Sequence, residues 1–262
     1  METFGVGVPA VLVHGSFGWG AETFPEQQAL ADEYQIILVD RRGFGGSKSE
    51  HSDGWPTDMC DIARLLDDLG PAHLVGQSYG AGVVLLAAAL RPKQVLSLTA
   101  IEPPVFDLAR GDPDADATAA ALRPVFDRAP NMSREQFFTE WARARGMSEE
   151  RIAERTASFG PEEWAAAEGS RQERYLGDAP IDLEALRAAA FPKVLVRGSW
   201  PSELAGRDGA GRDYAAICEA LADQVNAKIV VFERSCHNPQ IEEHQAFNRL
   251  LRTVWSSREP PE

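Results

Sequence analysis

The stretch Ala72-His73-Leu74-Val75-Gly76-Gln77-Ser78-Tyr79-Gly80-Ala81-Gly82-Val83-Val84-Leu85-Leu86 decides the reading of this chain. Ala72 to Val75 is a short apolar run with strand character, and Gly80 to Leu90 is an apolar helix rich in alanine and valine. Ser78 sits at the turn between them, flanked by glycine two residues to either side. A sharp strand-to-helix turn needs neighbours without Cβ atoms, and it holds the serine hydroxyl at a helix N-terminus, where negative charge is favoured. Gly-x-Ser-x-Gly in this context is the arrangement of a nucleophilic serine.

Outward from that turn the pattern repeats. Upstream, Pro9-Ala10-Val11-Leu12-Val13 reads as a strand buried on both faces and closed by His14-Gly15-Ser16, and Tyr34 to Val39 reads as a second strand. Thr57 to Leu69 carries apolar residues on one helical face and stops at Gly70-Pro71. Downstream, Leu96 to Ile101, Lys193 to Val196 and Lys228 to Phe232 read as strands, Tyr214 to Leu221 as a helix, and about Ile241 to Trp255 as a final helix. Strands alternating with helices specify an α/β fold with a mostly parallel central sheet flanked by helices, because parallel strands require crossover connections.

From about Val105 to Ala190 no strand is evident. Ala117–Arg128, Ser133–Arg145, Ser148–Phe159 and Glu162–Tyr175 read as helices, with Ser133 and Ser148 as caps. The expected organisation is a core of residues 1–104 and 191–262 interrupted by a helical lid, 105–190. No internal repeat is evident, and the tail Arg258-Glu259-Pro260-Pro261-Glu262 is expected to be disordered.

Composition sets the outer bounds. The 262 residues are 44% hydrophobic and 25% charged, ordinary globular values at a length that α/β folds fill as one unit. A net charge of -14 repels phosphate backbones and anionic lipid heads, so neither nucleic acid nor a membrane is an expected partner; its simplest reading is solubility. The odd cysteines Cys60, Cys218 and Cys236 match neither a disulfide framework nor a zinc site. With no basic, apolar leader pattern at the N-terminus, the expected location is cytoplasmic.

A serine hydroxyl is a weak nucleophile and needs a base. Among the five histidines, His51 lies in a polar loop, His73 opens a strand and His244 belongs to a helix face. His237 follows the last strand, at the carboxyl edge where ligands bind in open α/β sheets, and is the expected general base. His14 is expected to order its loop. For the acid, Glu102 ends the strand after the nucleophile helix and so lies on the same edge, 24 positions beyond Ser78. Glu203, Asp208 and Asp213, after the later strand, stay open as alternatives.

With His14-Gly15 after the first strand, Asp40-Arg41-Arg42-Gly43-Phe44-Gly45-Gly46-Ser47 after the second, the turn at Ser78 and the late His237, the chain from Pro9 to about Trp255 resembles the α/β-hydrolase superfamily. The resemblance implies an α/β-hydrolase fold and a catalytic Ser78, His237 and acid. It also implies an oxyanion hole from the backbone N–H groups of Tyr79 and Ser16, with Phe17 as substitute. Most of that superfamily carries an aspartate soon after the strand that here ends Arg197-Gly198, where Ser199, Trp200, Pro201 and Ser202 follow instead. Haloalkane dehalogenases and zearalenone lactonases include relatives with an acid placed as Glu102 is.

A serine nucleophile implies acyl chemistry, where dehalogenases and epoxide hydrolases use an aspartate. The expected reaction is cleavage of a carboxylic ester or lactone of an apolar or aromatic small molecule. Phe17 and Trp19 beside the oxyanion loop and Trp141 and Trp164 in the lid are the expected substrate contacts, although aromatics at helical spacing more often form the lid's own core. A carbon–carbon bond hydrolase or cofactor-free haloperoxidase on the same residues, and a non-catalytic ligand receptor, are the alternatives. No metal or organic cofactor is expected. Asp112, Asp114 and Asp116 lack the later glycine and glutamate of a calcium loop and read as a solvated loop. Monomer and homodimer both fit.

Overall fold

The computed structural model describes residues 1–47, 52–206 and 209–256; His51, Asp208 and the tail from Arg258 lie outside them. Seven strands form one sheet in the order β1-β3-β2-β4-β5-β6-β7: β1 (Glu2–Phe4), β2 (Val8–Val13), β3 (Tyr34–Val39), β4 (Ala72–Gln77), β5 (Val95–Ile101), β6 (Lys193–Gly198) and β7 (Lys228–Phe232). Every neighbouring pair is parallel except β1 with β3. β1 escapes the sequence reading because three residues on an edge leave almost no periodic signal.

The apolar runs are continuous because both faces of the sheet are covered. Alternate residues serve opposite cores, as the pleat demands. Val11, Val13, Leu74, Leu98 and Leu195 face the helices Trp55–Leu69, Tyr79–Leu90 and Arg212–Val225. Leu12, Ile36, Val75, Val194 and Val196 face Phe247, Leu251, Val254 and Trp255 of the helix His244–Ser256. Tyr79–Leu90 is buried along nearly its whole length, which accounts for a composition with no polar side.

Between β5 and β6 the chain is helical: Pro113–Arg128, Arg134–Ala144, Glu149–Ser158, Pro161–Arg171 and Leu183–Ala188. Ser133 and Ser148 accept from the backbone N–H groups of Gln136 and Arg151 as caps. The Asp112 to Asp116 stretch, expected as a solvated loop, is a helix start. Asp112 accepts from the N–H groups of Asp114 and Ala115, Pro113 takes the first turn, and the acidic side chains lie at the positive end of the helix dipole. Other boundaries differ from expectation as well. The fourth helix ends at Arg171 rather than Tyr175, and the last one is split into Pro239–Glu242 and His244–Ser256. No helix among the described residues is long and apolar enough to cross a membrane.

Candidate active site

The carboxyl ends of β2, β4 and β5 and the loop after β7 meet on one edge. Ser78, between β4 and its helix, has φ 53° and ψ −121°, a conformation that costs energy for a residue with a Cβ. The Ser78 N–H donates to the Ile101 carbonyl at 2.8 Å, fixing the turn to the end of β5. Gly80 is required by close approach: a Cβ there would lie 2.3 Å from the Val13 carbonyl oxygen and 2.4 Å from that of His14. Gly15 is pressed the same way, 2.7 Å from the Ser78 Cβ were it to carry its own, so the His14–Phe17 loop lies directly against the serine.

Glu102 directly follows β5 with φ 43° and is fully buried. Its Oε1 accepts from the Gly198 N–H at 2.9 Å and the Trp200 indole N–H at 2.8 Å, and its Oε2 lies 2.6 Å from His237 Nδ1. Trp200, in the region where most α/β hydrolases place their aspartate, thus supports the carboxylate from β5. The open alternatives stand elsewhere. Glu203 is exposed, while Asp213 is bound to Arg145 at 2.6 Å, to the Thr118 hydroxyl at 3.0 Å and to the Tyr214 N–H at 2.9 Å. Burial would raise the Asp213 pKa, but the Arg145 guanidinium outweighs it and holds the carboxyl below its usual value.

The His237 imidazole is part-exposed and stacks on the Tyr214 ring, with centroids 5.0 Å apart and planes 23° apart. The Tyr214 hydroxyl lies beside that of Ser78. Among the described residues, no hydrogen bond joins Ser78 Oγ to His237; such contacts are often long in unliganded sites and tighten around substrate. Gln77 links the elbow to the histidine loop through Asn238 Oδ1 at 3.2 Å.

The N–H groups of Ser16 and Tyr79 donate to no acceptor among the described residues, whereas that of Phe17 donates to Ser170 Oγ at 2.7 Å. The loop that carries Ser16 is anchored by His14. The His14 Nε2 accepts from the Arg41 N–H at 3.1 Å, so its Nδ1–H donates to the Gly15 carbonyl at 2.7 Å. Burial, aided by the Arg41 charge, holds this imidazole well below its usual pKa and therefore neutral.

Ser16, Ser78, Tyr79, Arg145 and Tyr214 share a narrow cavity of about 30 Å³ with apolar walls that include Phe106, Leu122, Phe126 and Trp141. Of the four expected substrate contacts, only Trp141 lines it. Phe17 packs beneath, 4.6 Å from Trp141 and 5.3 Å from Phe138 between centroids. Trp164 pairs with Phe159 at 4.9 Å, within the helical segment, and Trp19 precedes the short helix Gly20–Thr23. Arg145 and Tyr214 were not among the expected contacts, since a helix-end arginine and a helix tyrosine carry no distinguishing local signal. A larger groove, about 790 Å³, opens at the opposite, amino edge beside His73, Lys93 and Trp255, and contains none of these groups. No cluster of His, Cys, Asp and Glu suited to a metal occurs among the described residues.

A half-buried elbow serine, a histidine bonded to a buried carboxylate and backbone donors on one sheet edge form a hydrolase-type arrangement. Residues 10–250 match the model of the alpha/beta hydrolase family, and the chain belongs to that family. Over 103 residues it is 35% identical to a putative carbamate hydrolase RutD of Azorhizobium caulinodans, a match covering 38% of this chain and 39% of that protein. The match to an acetyltransferase component of the acetoin cleaving system of Pseudomonas putida, at 38% identity, covers 36% of this chain and 26% of the relative. Among solved structures, an alpha/beta hydrolase of Sphaerobacter thermophilus superposes with a TM-score of 0.68 at 24% identity, over 95% of each chain. An esterase of Thermogutta terrifontis gives 0.63 at 22% identity, over 96% of this chain and 90% of that one.

Proposed function

We propose that this hydrolase cleaves a carboxylic ester or lactone of a small apolar or aromatic molecule through an acyl-enzyme on Ser78. The observation that carries the reading is the buried Glu102 carboxylate 2.6 Å from His237 Nδ1, on the edge where the Ser78 elbow ends. In this reading Glu102 fixes the tautomer with Nδ1 protonated, leaving Nε2 to take the Ser78 proton as Oγ attacks the carbonyl. The tetrahedral oxyanion is received by the Ser16 and Tyr79 N–H groups. His237 then returns the proton to the leaving alkoxide, and a water activated by the same imidazole releases the acid.

The apolar walls formed by Phe106, Leu122, Phe126 and Trp141 favour an uncharged acyl group. With space for little more than one water, the cavity admits substrate only when the helical segment 105–190 shifts, which gives that segment the role of a lid. Esterase and lactonase neighbours, the latter described as degrading an N-acyl homoserine lactone, are consistent with this chemistry but share only the fold at this identity.

Fluorophosphonate treatment followed by peptide mass spectrometry, with a p-nitrophenyl ester and lactone panel, tests the proposal. Adduct on Ser78 and turnover abolished by Ser78→Ala are expected. Hydrolysis of vinylogous diketones with no ester turnover would instead favour carbon–carbon bond cleavage, and absence of any adduct would favour a receptor.

A further inference from the structure

The reading of Ser16 and Tyr79 as oxyanion donors leaves unexplained a buried acidic residue that reaches them from the helical segment. Glu173 follows the helix Pro161–Arg171 and is 4% exposed. Its Oε2 accepts from Ser16 Oγ at 2.5 Å, and its Oε1 pairs with Arg41 Nη2 at 2.6 Å. Arg41 is already paired with Asp58 at 2.9 Å and also donates to the carbonyls of His14 and Gly15. One guanidinium therefore faces two buried carboxylates.

For folding alone the second carboxylate is a liability. Arg41 and Asp58 would form a neutral pair without it, and an uncompensated charge in a dry site carries a large desolvation cost. Burial accordingly pushes the Glu173 carboxyl up to about 7, against the pull of Arg41 and the Ser16 hydroxyl. The neighbours of Glu173 show where that cost is applied. Ser170 accepts from the Phe17 N–H at 2.7 Å, and the Arg174 carbonyl accepts from the Tyr79 hydroxyl at 3.0 Å. Residues 170, 173 and 174 thus grip the loop at Ser16 and Phe17 and the helix start at Tyr79, and Ser16 and Tyr79 line the cavity with N–H groups that donate to no acceptor among the described residues.

We infer that Glu173 is a positioning residue: delivered by the helical segment, it fixes the Ser16 hydroxyl and hence the direction of the Ser16 N–H, so the oxyanion hole is complete only when this segment is docked. The inference rests on the serine hydrolase reading. It acts on the step in which the oxyanion forms and not on ground-state binding, so its signature is a loss in kcat with KM unchanged.

The test measures p-nitrophenyl ester kinetics and the rate of fluorophosphonate labelling for wild type, Glu173→Ala, Ser16→Ala and the double variant. Glu173→Ala is expected to lower kcat and the labelling rate by about tenfold or more, with KM within threefold. Ser16→Ala is expected to lower kcat in the same way, and the double variant should be no slower than Glu173→Ala alone, because both break one link. Should Glu173→Ala give no cooperative unfolding transition, Glu173→Leu, which keeps most of the buried volume and removes both acceptors, carries the same comparison. A kcat within twofold of wild type, a change confined to KM, or losses that multiply in the double variant would overturn the inference. A wild type inert to both probes would instead remove the hydrolase reading and this inference with it.

Discussion

Glu102→Gln is the sharpest test of the proposed acid. The substitution keeps shape and volume, and the surroundings dictate how the amide sits. Oε1 of Glu102 is held by two donors, the Gly198 N–H at 2.9 Å and the Trp200 indole at 2.8 Å, so only the amide oxygen of glutamine fits that side. Its NH2 must then face His237 Nδ1, where the carboxylate now lies at 2.6 Å. A donor facing Nδ1 forces the imidazole proton onto Nε2, the atom that must accept from Ser78. The wrong tautomer and an imidazolium left without its counter-charge together cost about 10³–10⁴ in kcat, by analogy with the asparagine variant of the chymotrypsin triad. This equals about 4–5.5 kcal/mol of transition-state stabilisation. Steady-state kinetics with a p-nitrophenyl ester, beside a thermal melt to confirm folding, reads the effect. A loss under tenfold in a folded variant, or a larger loss in Glu203→Gln, would refute the assignment of Glu102.

Three further outcomes follow from the geometry. Because burial raises the Glu173 carboxyl in the folded state to about 7, the native protein holds its proton more tightly than the unfolded chain does. Its contribution to stability is complete below the usual carboxylate range and is lost as pH rises through about 7, so thermal melts should show Glu173→Gln gaining on wild type from pH 5 to pH 8. Gly80→Ala drives a Cβ into the Val13 and His14 carbonyls and should cost about 2–4 kcal/mol, seen as a fall in Tm of roughly 5–15 °C. Trp141→Ala opens the apolar wall of the cavity, and a p-nitrophenyl ester series should move toward longer or bulkier acyl groups; an unchanged chain-length profile would place substrate elsewhere.

The parts of this molecule legible in its sequence are those enforced by local rules. β2 through β6 announce themselves because burial on both faces favours apolar runs, β7 because an apolar, β-branched run survives even on the half-buried edge, and the Ser78 elbow because it demands glycine at 76 and 80. Ser133 and Ser148 are visible as caps because capping is a contact within one turn. What stayed hidden depends on distant partners. Glu173, Arg145 and Tyr214 look like ordinary helix-end or helix-surface residues until the helical segment packs against the sheet edge. The aromatic residues show the reverse limit. Trp141 and Trp164 have the same signal, yet one faces the cavity and the other pairs with Phe159, since periodicity gives a face and not its neighbour.

Backbone strain bears on the proposed assignment of the acid to Glu102. Among the described residues, the non-glycine positions with positive φ are Phe17, Ser78, Glu102, Trp200 and Asn226. Asn226 ends the helix Arg212–Val225, where a left-handed asparagine is a normal terminator. The other four surround one point: Ser78 at the elbow, Phe17 in the loop pressed against it, and Glu102 and Trp200 joined by a 2.8 Å hydrogen bond. Each costs about 1–3 kcal/mol of conformational energy, which persists only where surroundings over-determine the geometry. Glu102 and Trp200 are strained together, from adjacent strands β5 and β6, and each conformation orients one end of the same bond. A glutamate that merely tied down the start of the helical segment would need neither a left-handed backbone nor an indole donor on its far oxygen. The paired strain therefore favours the proposed assignment of Glu102 as the acid, with Trp200 as its support. Trp200→Phe, which keeps the ring and deletes the donor, should accordingly weaken kcat while leaving the fold intact.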